Sequence, residues 1–486
     1  MKQFNKKEIT KKSVDFNRWY TDVILKAKLA DYSPVRGCMV IRPYGFAIWK
    51  RIHDILDKEF IDSGHQEAYF PLFVPISLLK KEKKHVEGFS PELAVITHGG
   101  GEKLEEPLIV RPTSETIMYE IYKNWISSWR DLPLLYYTWN NVVRWEKRTR
   151  LFLRTTEFLW HEGHTVHNTH KDSLNEVLKI LSIYNSFYKE YFAMPSVLGK
   201  KSDLEKFPGA DDTYAVESLM TDGKALQAGT SHDLGQNFSK AFSIQFQDRV
   251  GKLQYGWQTC WAISTRAIGA LVMTHGDDNG LVLPPKIAPI KAVIIPILGK
   301  DDKKVLSLAK KIKTAIDDKK SQFSGLVEIW DDLENSFGWK ANEAELKGIP
   351  ITIAIGLKEA SGEKSISINR RDHNGKLNPT SSLSNVGDRV EEVLIELQVD
   401  LYQKADDFFK NNTYQVDDYH EFKNIMKTKK GFIKAYWCGD KTCEQKIKQE
   451  TKATTRCLPL DAKDKQGQCI CCGKRALEKW FFAQAY

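Results

Sequence analysis

The chain has 486 residues, carries 72 Lys+Arg against 63 Asp+Glu for a net charge of +9, and is 42% hydrophobic and 11% aromatic. At roughly 150 residues per domain that length predicts about three domains, and the apolar share excludes a largely disordered chain. The mild cationic excess is compatible with an RNA or nucleotide partner without establishing one; no apolar run approaches the ~20 residues that cross a bilayer, and the basic opening MKQFNKKEITKKS lacks the apolar stretch of a secretory signal, so a cytoplasmic protein is expected.

In chain order, DSGHQEAYFPLFVP (62–75) ends a long amphipathic helix with an extended, proline-marked strand. RPTSE (111–115) follows the apolar strand LIV; a cap or turn explains Thr113 and Ser114 as well as a binding role does. In VVRWEKRTRLFLRTTEFLWHEGHT (142–165) the pattern predicts a strand with Arg144 and Glu146 facing the same way, a polar turn, and a second strand carrying Arg154, Phe158 and Trp160. A guanidinium takes phosphate oxygens bidentately, a carboxylate accepts from an adenine or sugar donor or helps hold a metal ion, and a phenyl ring stacks on a purine. The sequence has no G-x-x-x-x-G-K-[ST] loop and no G-x-G-x-x-G opening a helix, so ATP, if used, must be held by such a device. His161-Glu162-Gly163-His164 is not a zinc-protease motif, because its histidines are three apart in a strand-like context. QAGTSHDLGQNFSKAF (227–242) is another unusually polar run, and a lone Arg266 sits in a strand-to-helix setting.

A boundary falls at LVLPPKIAPIK (281–291), where Pro284, Pro285 and Pro289 interrupt any regular element. Beyond it, strands at 292–298, 326–330, 351–355 and 365–369 alternate with helices at 303–320 and 341–348, which predicts a compact α/β domain over about 290–395. The first helix places Val305, Leu308, Ala309, Ile312 and Ile316 on one face. Six of the eight cysteines fall in the last 49 residues. Cys438 and Cys443, four residues between them, and Cys469 and Cys472, two between them, have the paired spacing of a structural four-thiolate zinc site, with Gly439 and Gly473 as turn residues. Reduced thiols in a small lobe or a regulatory disulfide are the alternatives; Cys471 is a competing neighbour and Cys457 a bystander.

A helix and strand ending at Pro71, an Arg-x-Glu pair, and a Gly-rich segment with one arginine resemble motifs 1, 2 and 3 of class II aminoacyl-tRNA synthetases. Within that class, RPTSE, RWE, FLRTTEFLWHEGHT and QAGTSHDLGQNF together resemble prolyl-tRNA synthetase over essentially the whole chain, in the archaeal/eukaryote-like form without an editing insert. The resemblance implies an α/β multidomain fold: a class II antiparallel sheet with helices (1–285), an anticodon-binding α/β domain (290–398) and a C-terminal zinc-bearing α+β lobe (401–486). It implies that Thr113 and Glu115 bind the proline amine and that Arg144 reaches both the proline carboxylate and the α-phosphate. Trp160, Glu162, His164, Thr230 and His232 would then shape the pyrrolidine pocket, while Glu146, Arg154, Thr155, Phe158, Gln227, Ser264 and Arg266 surround ATP and its Mg2+. Arg144, Glu146 and Arg266 carry the catalysis on this reading; Lys340, Glu345 and Lys347 are candidates for anticodon contacts, a plain helix surface being the alternative. The implied partners are L-proline, ATP, tRNA(Pro), a second copy of the chain and a separate trans-editing protein. Rival readings are a class II synthetase for another amino acid, a synthetase-derived RNA-binding relic, and a zinc-lobed nucleic-acid module; the last leaves the arginine set unexplained.

Overall fold

The aromatic-rich first half and the cysteine-bearing end of the chain share one sheet. The computed structural model describes residues 9–79, 93–299, 302–319, 326–362, 365–373, 383–463 and 466–486; the first eight residues of the basic opening segment lie outside these. The first half contributes β1 (Gln66–Glu67), β2 (Leu134–Val143), β3 (Glu157–His167), β4 (Val197–Lys200), β5 (Asp212–Leu219), β6 (Ala225–Gly235) and β7 (Trp257–Ser264). They lie in the order β4-β5-β6-β7-β3-β2-β1, and only the short β1–β2 pair is parallel. A sheet that is antiparallel almost throughout needs no βαβ crossovers, which agrees with the missing dinucleotide rhythm.

Four helices pack around it: α1 (Pro43–Asp62), α2 (Glu115–Trp125), α3 (His170–Glu190) and α4 (Arg266–His275). In α3 the buried Val177, Ile180, Leu181, Tyr184, Phe187 and Tyr188 recur at three- and four-residue steps, so one stripe faces the sheet. That stripe meets Phe60 of α1 and Trp261 of β7 in the main core. Gly163 lies against the same tryptophan: a Cβ there would sit 2.1 Å from the Trp261 ring, so the third position of HEGH admits no side chain.

The second domain follows the predicted alternation: β8 (Ala292–Pro296), α5 (Asp302–Asp317), β9 (Val327–Ile329), α6 (Phe337–Lys347), β10 (Ile351–Ile355) and β11 (Ile368–Arg370). The strand order is β9-β8-β10-β11, parallel except for the last pair. Val305, Ala309, Ile312 and Ile316 of α5 are buried as expected, while Leu308 is half-buried at the edge of that face. The strand expected over 365–369 is regular only from Ile368.

The expected boundary between residues 398 and 401 is not a linker. One helix, α7 (Val386–Asn411), runs through it. Successive turns of α7 serve different cores: Val386, Val390 and Val393 pack in the second domain, Leu397 and Leu401 against Ala193 and Val282, and Phe408 and Phe409 against the C-terminal lobe. That lobe holds β12 (Thr413–Gln415), β13 (Phe432–Tyr436), α8 (Lys441–Thr451), β14 (Thr454–Pro459) and β15 (Lys479–Ala483). β14 pairs with β4 through Leu458↔Lys200 and Pro459↔Gly199, which extends the sheet to eleven strands.

Beneath that joint lies a buried ionic cluster. Glu217 Oε1 accepts from Lys201 Nζ at 2.7 Å and from Arg456 Nη2 at 2.9 Å, and Lys201 Nζ also donates to the Arg456 carbonyl at 2.8 Å. Neutralising the carboxylate leaves buried Lys201 without its ion-pair partner and Arg456 with only Glu205, 3.9 Å away, a change that costs about 3–5 kcal/mol. Glu217→Gln is therefore expected to lower stability by that amount in urea denaturation; a loss below about 1 kcal/mol would show that water reaches the cluster.

Candidate active site

The turn from residue 111 to the start of α2 and the alternating face of β3 converge on a cavity of about 360 Å3. Trp160, Glu162 and His164 point to it from β3, while His161 faces the opposite core and meets Tyr184. Glu162 is the best-held group. Its Oε2 accepts from the Ser114 amide at 3.0 Å and lies 3.1 Å from His164 Nε2, and its Oε1 accepts from Asn140 Nδ2 at 2.9 Å. Burial alone pushes the Glu162 carboxyl up, but His164, Asn140 and Ser114 outweigh it and hold the pKa at about 2. The Thr113 hydroxyl lies between Glu162, at 2.9 Å, and Glu115, sharing its one proton with two carboxylates. Trp160 donates its indole N–H to Asn140 Oδ1 at 2.7 Å, which fixes both side chains.

The opposite wall comes from β6 and a loop. Gln227, Thr230 and His232 all line the cavity, although strict alternation would aim Ala228 there instead of Gln227. The register explains it: Val216 pairs with Gly229 and Glu217 with Gln227, so Ala228 is the extra residue of a bulge. The His232 ring packs on Phe207 at 4.8 Å, and its Nδ1 lies 2.9 Å from Thr213 Oγ1. Burial, with His164 nearby, lowers the His232 pKa to about 3, so the ring is neutral.

Arg144 also lines the cavity, its Nε donating to the Pro112 carbonyl at 3.1 Å and its guanidinium lying over the rings of Phe158 (5.5 Å) and Trp160 (5.2 Å). Arg144 and Glu146 are not on a strand as expected: β2 ends at Val143, the Glu146 amide bonds back to the Arg144 carbonyl, and Arg154 likewise precedes β3. The strand stops because the chain must turn here, which frees these side chains from the alternation of the sheet. Glu146 pairs with Arg154 at 3.6 Å. Arg266, at the start of α4 and two residues after Ser264, donates to the Leu153 carbonyl at 3.2 Å. Its pKa is lowered to about 10 by burial and then by Arg154 and Arg144, so three guanidiniums crowd one region. Thr155 is buried, its hydroxyl donating to the Glu157 carbonyl at 2.7 Å.

Three stretches of the chain match known families. Residues 97–275 match the tRNA synthetase class II core domain (G, H, P, S and T), 291–392 the anticodon binding domain and 419–486 the prolyl-tRNA synthetase C-terminal domain. A proline--tRNA ligase of Chlorobium phaeovibrioides is 50% identical over 487 aligned residues, covering 99% of both chains. The chain belongs to the prolyl-tRNA synthetases. A proline--tRNA ligase of Borrelia garinii subsp. bavariensis is 50% identical across 98% of this chain and 99% of its own. The crystal structure of Cryptosporidium parvum prolyl-tRNA synthetase, complexed with halofuginone and AMPPNP, superposes with a TM-score of 0.93 at 38% identity, covering 99% of this chain and 97% of that one.

The fold brings Thr113, Glu115, Arg144, Trp160, Glu162, His164, Gln227, Thr230 and His232 of this synthetase to one cavity, where Gln227 and Arg144, expected at ATP, share the lining with the residues expected at proline. Phe207, Thr213 and Cys260 also line it, and sequence reasoning assigned them no place. For Cys260 a signal existed, since it stands in alternation with Ala262 and Ser264 on a strand. Its thiol faces Glu115, and burial followed by that carboxylate raises its pKa well above the usual range. The anticodon candidates divide. Lys340 is buried, and its ammonium donates to the carbonyls of Trp330 (2.9 Å) and Asp332, so it is a structural staple with no free donor face for a base. Lys347 lies over the rings of Tyr44 and Trp330, and Glu345 is half-buried beside it.

At the far end of the sheet, the sulfurs of Cys438, Cys443, Cys469 and Cys472 lie within 4.8 Å of one another. Cys438 Sγ is 3.8 Å from both Cys443 Sγ and Cys472 Sγ. Gly439 and Gly473 adopt φ of 79° and 72°, the left-handed turns that let each pair double back. Cys471 stands outside the four, and Cys457 is buried in β14.

Four histidines whose pKa burial lowers give the synthetase a pH signature, His167 and His275 falling to about 4 and adding to the effect of the two shifted most. His161 and His232 are each lowered to about 3, by burial first in both cases. Unfolded, each binds a proton near the ordinary value of about 6.5. The folded state thus holds fewer protons between, so their contribution is full above about pH 6.5 and is lost as pH falls towards 3. At about 1.4 kcal/mol per pH unit, the pair costs on the order of 4 kcal/mol at pH 5. Urea midpoints at pH 7.5 and pH 5.0 are expected to differ accordingly; equal midpoints would show both rings to be solvent-reached.

Proposed function

We propose that this chain is a proline--tRNA ligase that activates L-proline with ATP, releasing pyrophosphate, and passes prolyl from the adenylate to the 3′ end of tRNA(Pro). The observation that carries the reading is the pocket itself: carboxylates Glu115 and Glu162 with Thr113 on one side, and the Arg144 guanidinium on another. A zwitterionic amino acid matches that polarity, its ammonium towards the acids and its carboxylate towards the arginine. Thr113 and Glu115 bind the proline amine. Trp160, Glu162, His164, Thr230 and neutral His232 enclose the ring. Arg144 holds the carboxylate beside the α-phosphate, and Phe158, Glu146, Arg154, Thr155, Gln227, Ser264 and Arg266 take ATP. Such transfer is governed by positioning and charge neutralisation, with no covalent enzyme intermediate. Mg2+ takes oxygen ligands, of which Glu146 would supply one, and the ion's charge would offset that of the phosphates.

The cysteine centre fits structural zinc. Zn–S bonds of ~2.3 Å arranged tetrahedrally put the sulfurs about 3.8 Å apart, the separation found at Cys438. A disulfide needs sulfurs at about 2 Å. Metal analysis of the purified protein is expected to give one zinc per chain, and Cys443→Ser to lose both the metal and thermal stability. A metal-free, fully stable protein would overturn the assignment.

The working form is a cytoplasmic homodimer. Phe46, Ile61, Tyr69 and Phe73, on and just beyond α1, are large apolar side chains left 47–77% exposed, which supports burial against a second copy. No separate domain interrupts residues 162–266, which form α3, β4 to β6 and short connecting elements. A hydrophobic pocket separates near-isosteres by only about 1–3 kcal/mol, so alanine and cysteine are activated faintly and corrected by a separate trans-editing protein. The test is ATP–pyrophosphate exchange with each of the twenty amino acids in the absence of tRNA. Strong exchange with proline and faint exchange with alanine or cysteine are expected. Arg144→Ala should lower proline exchange on the order of 100-fold or more with little change in urea midpoint. Exchange with a different amino acid, or a variant within a few-fold of the parent, overturns the residue roles.

A further inference from the structure

We infer that Glu444 is a positioning residue of the amino-acid pocket, and that metal occupancy of the four-cysteine centre sets the affinity of that pocket for proline. The inference rests on the proline and zinc readings above. It starts from one juxtaposition. Cys443 and Glu444 are neighbours in the first turn of α8, yet their side chains serve opposite ends of a chain of contacts. Cys443 is one of the four clustered thiols. Glu444 is buried and turns towards the catalytic sheet, where its Oε1 accepts from Ser202 Oγ at 2.8 Å and from the Thr455 hydroxyl.

Ser202 is the base of the pocket loop. Its carbonyl accepts from the amides of Glu205 (3.1 Å) and Lys206 (2.9 Å), which winds residues 202–206 into a turn. Glu205, Lys206, Phe207 and Pro208 then form one wall of the amino-acid cavity. The Phe207 amide donates to Thr213 Oγ1 at 2.9 Å, the same hydroxyl that meets His232, and the Phe207 ring packs on that histidine. The lobe grips the loop a second time: Glu205 lies 3.7 Å from Lys448 on α8 and 3.9 Å from Arg456 on β14. Among the described residues, no side chain of the lobe lines the cavity. Its effect is to fix where Phe207 and His232 stand, and so to act on the amino acid while leaving Arg154 and Arg266 alone. The metal enters because α8 begins inside the cysteine cluster. Four bonds to one ion would fix the first turn of α8; without them that turn is held by the Asp440 cap, which accepts from the Thr442 amide at 2.8 Å, and by the packing of Ile447 in the lobe core.

The test separates the two substrates. Proline Kd is measured by calorimetry, and KM values for proline and ATP by pyrophosphate exchange, for the full chain with zinc bound and after chelation. Glu444→Ala and zinc removal are each expected to raise proline Kd about tenfold, with KM for ATP within twofold. Removing zinc from Glu444→Ala should add less than a further twofold, since both act through Ser202. Glu444→Gln, which keeps the acceptor oxygen, should restore proline Kd to within threefold of the parent. If Glu444→Ala fails to fold, Ser202→Ala carries the same expectation. An unchanged proline Kd, an equal rise in both KM values, or independent multiplying effects overturns the inference. A parent protein that binds no proline sinks the proline reading itself, and one isolated folded without metal sinks the metal half while the variants still decide the role of Glu444.

Discussion

A carboxylate sealed from water costs several kcal/mol unless every lone pair finds a donor, and Glu162 is sealed to 2% exposure. Its donors come from three places: the Ser114 amide at the entry to α2, Asn140 on β2 and His164 on its own strand. Satisfying them together fixes three things at once. The β2–β3 register is held, because Asn140 sits diagonal to Glu162 across the Trp160 pair. The 111–115 turn is drawn against β3, which delivers Thr113 and Glu115 to the cavity. The His164 ring is oriented, with Tyr119 on its other nitrogen at 3.1 Å. The amino-acid pocket follows from the need to solvate one buried charge.

The same economy governs the larger architecture. The lobe that carries the cysteines is no appendage, because β14 continues the catalytic sheet and the Lys201–Glu217–Arg456 cluster seals the joint from below. The second domain is tied in by α7, whose turns serve three cores in succession. It is tied again by Arg371, which reaches Asp277 beyond the end of α4 at 2.7 and 2.8 Å. Three sequence families thus meet in one body.

What was legible in the sequence was what depends on local periodicity. Val305, Ala309, Ile312 and Ile316 announced their helix face, and ITIAI announced β10, because helix and strand periods are set within a few residues. Paired cysteine spacing announced the thiol cluster for the same reason. Trp160, Glu162 and His164 alternate along β3, so one face of the strand brings all three to the cavity. Non-local pairing was not legible. Nothing in Leu458 or Pro459 says that they meet Lys200 and Gly199, and the bulge at Ala228 that turns Gln227 inward is visible only in the pairing of two strands. Phe207 and Thr213 look like ordinary loop and strand residues until the fold brings them to His232. Lys340 misled for the opposite reason: a lysine on an amphipathic helix usually reaches solvent, but here the chain at Trp330 and Asp332 folds over its ammonium.

The two sides of the site are built on opposed electrostatic terms. Where the proposed reading seats the amino acid, Glu162 has its donors and His232 is neutral, so what remains to be decided there is fit. Where it seats the nucleotide, cations crowd together. Burial first, then Arg154 and Arg144 close by, lower the pKa of Arg266 to about 10, still fully cationic at neutral pH, while Glu146 is a carboxylate paired with Arg154. Repulsion among fixed cations is a cost borne by the folded protein before any ligand arrives. It is relieved when a polyanion enters, and most where negative charge gathers as pyrophosphate departs. Donors already held in place need no reorganisation at that moment, which is the condition under which electrostatic stabilisation acts on the transition state in preference to the bound substrate. The backbone supplies the holding: Arg144 is fixed through Nε to the Pro112 carbonyl and Arg266 through Nε to that of Leu153.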